Sequence, residues 1–160
     1  MCAERSYDGR MAMIKEKDRA TLAQLGEKLT QDVDVTLYTQ RASALAVPGV
    51  IPCETCEAAE DLLQELGEII PKLHVTIADL VENLEQAEED DVNRVPTIVL
   101  GGRAQRRARF MGFPGGYEFA TFMSAVLEAG SAGEDVPDVL RAKLGELSKP
   151  VDIKVFVTPS

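Results

Sequence analysis

Three cysteines, one histidine and no apolar run long enough to cross a bilayer set the first limits on this chain of 160 residues. Three cysteines cannot make the paired framework that staples a small secreted domain, so stability has to come from a packed core. A hydrophobic content of 45% supplies one, and a single domain of ordinary size is expected, with room for the remnant of another. Cations are in the minority: 17 Lys and Arg stand against 27 Asp and Glu, a net charge of −10. A surface of that sign keeps the protein soluble and argues against nucleic acid and anionic membrane as partners. Residues 1–10 are polar and lack the apolar stretch of a signal peptide, so a cytoplasmic setting is the expectation.

Two of the cysteines occur as Cys53-Glu54-Thr55-Cys56, just after Pro52. A strand-like run over 33–39 comes before them, and from 57 onward Ala59, Leu62, Leu63 and Leu66 fall on one face of a helix. Two thiols three residues apart in a first helical turn lie on one side and can close a disulfide ring. In a cytosolic chain with a βαβ pattern the pair reads as a dithiol redox centre. Cys53, coming first, is the exposed nucleophile. Cys56, one turn deeper, resolves the mixed disulfide.

The position suits that chemistry, because a thiolate attacks and a thiol does not. The unpaired N–H groups of a helix start favour an anion by about 0.3–1 kcal/mol, and by about 2 in good geometry. Glu54 and Glu57 oppose this, each by about 0.7 kcal/mol at a separation of roughly 6 Å in water-like dielectric. The expectation is a modestly lowered Cys53 pKa and a reducing or middling potential. Half of a zinc site is the other reading of the pair, but zinc takes about four ligands and only Cys2, His74 and carboxylates remain. A sealed structural disulfide does not suit a reducing compartment.

In chain order, residues 1–14 read as a disordered lead-in that carries Cys2, a bystander. Residues 18–29 read as a helix with Leu22, Leu25 and Leu29 on one face. Residues 40–52 form a connection whose apolar side chains either tuck onto the domain or make a lip beside the dithiol. Residues 72–78 alternate, with Leu73, Val75 and Ile77 on one face and His74 and Thr76 on the other. His74 is a tempting base for Cys53, but a solvent-facing or packed histidine is the simpler reading. Residues 80–91 read as an acidic helix whose wet face carries Glu82, Glu85, Glu88, Glu89, Asp90 and Asp91.

Pro96 opens a strand over 95–100, and composition alone leaves its peptide bond trans. Gly101-Gly102 signals a hairpin turn, and the chain returns over 103–111. Arg103, Arg107 and Arg109 share one face of that strand, as solvated edge charges or as a docking spot for acidic partners. Residues 112–116 are a glycine-rich turn without the spacing or lysine of a phosphate-binding loop. They lead into a helix over 117–129 that Gly130 ends, followed by a linker over 131–137. The tail then repeats the head, because Leu144-Gly145-Glu146-Leu147 with a strand pattern from 151 echoes Leu25-Gly26-Glu27-Lys28 with the strand from 33.

The order of elements resembles a thioredoxin fold: an α/β fold with a central mixed four-stranded sheet flanked by helices. Over residues 15–160 the chain is more specifically similar to the glutaredoxin-like protein disulfide oxidoreductases, built of two tandem thioredoxin units. It is also similar to the N-terminal domain of the flavoprotein subunit of alkyl hydroperoxide reductase. The carrying residues are the Cys53–Cys56 pair, Val95-Pro96-Thr97, the run from Arg109 through Gly112-Phe113-Pro114-Gly115-Gly116 to Phe119, and the terminal Val155-Phe156-Val157-Thr158-Pro159-Ser160.

The resemblance implies one thioredoxin unit over 15–130 and the first helix and strand of a second, truncated unit over 138–160. It implies that Cys53 and Cys56 are catalytic and that Pro96 is cis beside them. The backbone at Val95, with Pro96, Thr97, Glu54 and Thr55, would then receive an extended substrate segment. The activity implied is thiol–disulfide exchange with protein disulfides, without metal or organic cofactor. A thioredoxin-reductase-like flavoprotein or small thiols would return the electrons.

Two departures stand out. The approach over 41–52 is longer than the family's, and the second dithiol after the terminal strand is absent. An orphan strand there would leave an edge open to homodimerisation. The rival reading is a non-catalytic binding module, or a redox relay domain for a partner enzyme.

Overall fold

The computed structural model describes residues 12–40, 52–102, 107–131 and 136–155. Its elements run α1 (Glu16–Glu27), β1 (Val33–Thr39), α2 (Cys56–Ile69), β2 (Leu73–Asp79), α3 (Leu84–Glu89), β3 (Thr97–Gly102), β4 (Arg107–Met111), α4 (Glu118–Ala129) and α5 (Asp138–Gly145). The strands form one sheet in the order β2-β1-β3-β4, with β1 and β2 parallel and the other pairs antiparallel.

Alternation sets which face of the sheet is which. Val33, Val35 and Leu37 of β1 pair with Leu73, Val75 and Ile77 of β2 and point to one face, where Ile98 and Leu100 of β3 join them. That face packs against α1, α2 and α4, and the main core lies between. On α2 the buried stripe is Ala59, Leu62, Leu63 and Leu66, the spacing of one helical face. From α4, Phe122 meets Phe110 of β4 edge to face at 5.8 Å between ring centres. The other face is covered more thinly: Tyr38, Ala78, Val99, Ala87 of α3 and Val92 form a small second cluster.

Two straps fix the helical layer. Glu65 of α2 accepts the N–H groups of Met13 at 2.9 Å and Ile14 at 3.0 Å, and its other oxygen takes the Arg19 guanidinium. At the opposite end the Gly130 carbonyl accepts from the N–H groups of Thr30 and Gln31 and from the Thr30 hydroxyl. Both link segments far apart in sequence.

The structure corrects several expectations. Gly101 and Gly102 are not the hairpin turn, because both belong to β3 and pair with Asp34 and Val33 of β1. A Cβ on Gly102 would stand 2.3 Å from the Ala129 carbonyl oxygen, so glycine is needed where the end of α4 crosses the strand. The turn itself, with Arg103 and the first part of the predicted return strand, lies outside the described residues.

The acidic helix expected over 80–91 shrinks to Leu84–Glu89. Its front is held as a turn by the Asp79 carboxylate, which accepts the N–H groups of Val81 at 2.9 Å and Glu82 at 3.3 Å. Its back stops at Asp91, whose φ of 53° is left-handed. Residues 151–155 form no strand and are exposed, since no neighbouring strand is offered to them within the described residues. Residues 156–160, the lead-in 1–11 with Cys2, and most of the long connection, 41–51, also lie outside the described residues.

Candidate active site

Cys53 and Cys56 are joined in a disulfide, with Cα atoms 5.5 Å apart. The intervening Glu54 and Thr55 form an exposed turn, and the Ala59 N–H donates to the Thr55 carbonyl at 3.0 Å, so the first helical turn is wound directly beneath the sulfurs. Exposure differs between the two cysteines. Cys56 is 3% exposed and belongs to the inner face of α2, whereas Cys53 is only half-buried. Of the two residues, the less buried one is the easier for an incoming disulfide to reach. The free N–H groups at the start of α2 supply the partial positive charge that a thiolate at this place would use.

Topology decides what else is near. The Leu73 N–H donates to the Ile70 carbonyl at 2.9 Å, so the C-terminus of α2 lies where β2 starts. Its N-terminus, with the disulfide, is therefore at the other end of the sheet, where β1 and β2 finish. Antiparallel β3 begins at that same end, since its first residue, Thr97, pairs with Tyr38 near the finish of β1.

Val95, Pro96 and Thr97 accordingly lie at the disulfide end of the sheet. The Val95–Pro96 peptide bond is cis, against the trans expectation from composition and in line with the resemblance. Pro96 is buried, its carbonyl accepts the Gly112 N–H at 2.9 Å, and the Thr97 hydroxyl donates to the Arg94 carbonyl at 2.8 Å. Val95 itself precedes the first paired residue of the sheet.

His74 is placed apart from this site. It sits near the start of β2, at the opposite end of the sheet, on the exposed face, with Nε2 3.8 Å from the Asp32 carboxylate. It cannot serve as a base for Cys53. Among the described residues no group of three or more His, Cys, Asp or Glu side chains is placed to hold a metal ion. A groove of about 790 Å³ between α1 and α4, lined by Met13, Leu25, Phe113, Phe119 and Leu127, contains neither cysteine.

Sequence reasoning missed one cluster at this end of the molecule. Asp90 and Asp91, read as part of a wet helix face, are engaged. The Tyr38 hydroxyl donates to the Asp90 carboxylate at 2.7 Å, and Arg109 grips the carbonyls of both aspartates and the Asp91 carboxylate. Arg109, read as a solvated edge charge, therefore has a structural partner. The side chains of Arg103 and Arg107 lie outside the described residues. These contacts span 18 to 52 residues of sequence, and no local pattern announces them.

Solved structures that share the architecture include three of note. The alkylhydroperoxide reductase component AhpF of Enterococcus faecalis, as a single cysteine-to-alanine mutant, superposes with a TM-score of 0.68 at 20% identity, covering 86% of this chain and 62% of that one. The NTD_N/C domain of the same protein gives 0.67 at 20% identity, covering 82% and 59%. A protein disulfide oxidoreductase from Aeropyrum pernix gives 0.67 at 20% identity, covering 83% and 55%. The chain thus spans less than two-thirds of each of them. No family model matches the sequence, and no curated protein matches it.

Proposed function

We propose that this chain, which has the thioredoxin fold and carries a Cys53–Cys56 disulfide at the start of α2, is a thiol–disulfide oxidoreductase acting on protein disulfides. The observation that carries the reading is the unequal exposure of the two bonded cysteines, Cys53 half-buried and Cys56 buried. In the reductive direction the Cys53 thiolate attacks one sulfur of the substrate. A Cys53–substrate disulfide forms and the second substrate sulfur leaves as a thiolate. Cys56, having lost its proton, attacks Cys53, the original disulfide re-forms, and the first substrate sulfur is released. Two electrons and two protons pass to the substrate. A flavoprotein reductase of the thioredoxin-reductase kind, or small thiols, returns them from outside the chain.

Substrate recognition falls to Val95, Pro96 and Thr97, with Glu54 and Thr55 in the exposed turn. Val95, just beyond the sheet ladder, offers its backbone to an extended segment, which would add as a short strand. A cytoplasmic setting suits a pair that has to cycle between thiol and disulfide.

The experiment is a trap. With Cys56→Ser, mixed disulfides through Cys53 are expected to accumulate on a non-reducing gel, and none with Cys53→Ser. Absence of adducts from the Cys56→Ser protein, with insulin left unreduced by the unaltered chain in dithiothreitol, would remove the catalytic reading.

A second reading is favoured by the architecture shared with the larger reductase component: a relay domain that hands electrons to one partner enzyme. Residues 15–130 then make one unit and 138–160 begin another. Helical α5, with exposed Val139, Leu140 and Leu144, supports that division. A relay domain would exchange quickly with its one partner disulfide and slowly with insulin. Homodimerisation through the tail remains a corollary, tested by sedimentation.

A further inference from the structure

Arg109 stands on β4, the outermost strand, with about a third of its side chain exposed. Its Nη1 donates to the Asp91 carbonyl at 2.6 Å and to the Asp90 carbonyl at 3.2 Å, and pairs with the Asp91 carboxylate. Three residues further on, the Gly112 N–H donates to the Pro96 carbonyl. β4 and the residue that follows it therefore hold the segment 90–96 at both ends, at points roughly 10 Å apart along the chain.

The inner side of that segment is fixed separately. Val92 is buried and donates its N–H to the Ala87 carbonyl, and the Asp90 carboxylate takes the Tyr38 hydroxyl. Asp91 occupies the left-handed region, a conformation that a non-glycine residue keeps only where its surroundings hold it. Backbone bonds at the end of α3 hold it from inside, the Asp91 N–H on the Glu88 carbonyl at 3.0 Å and the Val92 N–H on the Ala87 carbonyl at 2.7 Å, and the Arg109 guanidinium clasps it from outside through the carbonyls on either side of the Asp91 N–Cα bond.

We propose that Arg109 is a positioning residue for protein substrates: through Asp90 and Asp91 it sets the segment that presents the Val95 backbone to an incoming strand. This rests on the function proposed above and adds a division between substrates. A protein disulfide has to lie along Val95 before its sulfur reaches Cys53. A small aromatic disulfide needs only Cys53. Losing Arg109 therefore affects the first and spares the second. All three acceptors gather about the one nitrogen Nη1, so the arginine contributes reach and a fixed direction of its N–H groups, which the shorter, freely rotating ammonium of lysine reproduces only in part.

Steady-state reduction of insulin and of 5,5′-dithiobis(2-nitrobenzoate) is compared for the unaltered chain, Arg109→Met, Arg109→Lys and Asp91→Asn. Arg109→Met is expected to raise KM for insulin about tenfold, the size of losing a charge-assisted hydrogen bond, with the small-disulfide rate within about twofold. Arg109→Lys recovers part of the loss. Asp91→Asn, which tolerates the same backbone angle, shifts KM in the same direction and less. Opposite shifts for Arg109→Met and Asp91→Asn would mean long-range charge on the substrate rather than loop setting, and would overturn the proposal. So would equal losses on both substrates, or none.

Amide exchange gives a readout independent of turnover: Arg109→Met, or Arg109→Lys if the first does not fold, should speed exchange at Val92 to Val95 and leave α2 as protected as before. Unchanged exchange there also overturns the proposal. If the unaltered chain reduces neither disulfide, the oxidoreductase function fails and this inference fails with it.

Discussion

At the scale of single residues, the reactivity of Cys53 depends on a balance of small charges. The start of α2 favours its thiolate, while Glu54 and Glu57, both exposed, oppose it. Each carboxylate acts across roughly 6 Å of water-like surroundings and costs about 0.7 kcal/mol, close to a threefold change in thiolate population. Glu54→Gln should therefore raise the rate of iodoacetamide alkylation of reduced Cys53 at neutral pH by about threefold. The double change with Glu57→Gln should raise it by up to tenfold, and added salt should shrink both effects. Rates insensitive to both substitutions would mean that the carboxylates point away from the sulfur. Cysteine spacing made this site legible in the sequence, because a pair on a helix start is a local pattern. The cis bond at Pro96 was legible only through family resemblance, since composition leaves every X-Pro bond with the same expectation. Arg109 was not legible at all, because its partners lie on a different element and only the β3–β4 register brings them together.

Elements with regular periods were the readable part of the fold. Alternation gave β1 to the residue, and the stripe Ala59, Leu62, Leu63 and Leu66 gave the buried face of α2. The failures are at ends, where a side chain outcompetes the helix. Asp79 capped a turn that shortened α3, and Gly102 was needed for the approach of α4 rather than for a hairpin. The same kind of long-range contact governs how α1 is tied down. Glu65 is the anchor: its carboxylate accepts two backbone N–H groups and pairs with Arg19, and its side chain is 11% exposed. Glu65→Gln keeps the shape and removes the charge. It should lower urea-unfolding stability by about 1–2 kcal/mol with an unchanged m-value, allowing for the solvent-facing part of Arg19. Glu85→Gln on the exposed side of α3 should stay within about 0.5 kcal/mol of the unaltered protein. Equal losses at the two sites would show that the anchor carries no special weight.

For the molecule as a whole, the main core and the disulfide both lie before Gly130. Every hydrophobic residue of the main core lies between Met13 and Ala129, and the Cys53–Cys56 pair, Pro96 and Arg109 fall inside the same span. Residues 137–155 are exposed throughout, including Val139, Leu140, Leu144, Leu147, Val151 and Ile153. An apolar stripe on that scale contributes nothing to folding in the isolated chain, yet it keeps nonpolar area in water at about 25 cal/mol per Å². Removing it should therefore be neutral for the fold and favourable for solubility. A chain shortened to residues 1–131 is expected to melt within about 2 °C of the full one, to reduce insulin at the same rate per molecule, and to lose any self-association seen by sedimentation of the full chain. Leu140→Ser with Leu144→Ser should reproduce the last effect without truncation. If the shortened chain instead melted several degrees lower, the tail would have to pack against the first unit in solution. The apolar groove between α1 and α4, whose lining extends to Leu127 in the last turns of α4, would then be the place to look for it.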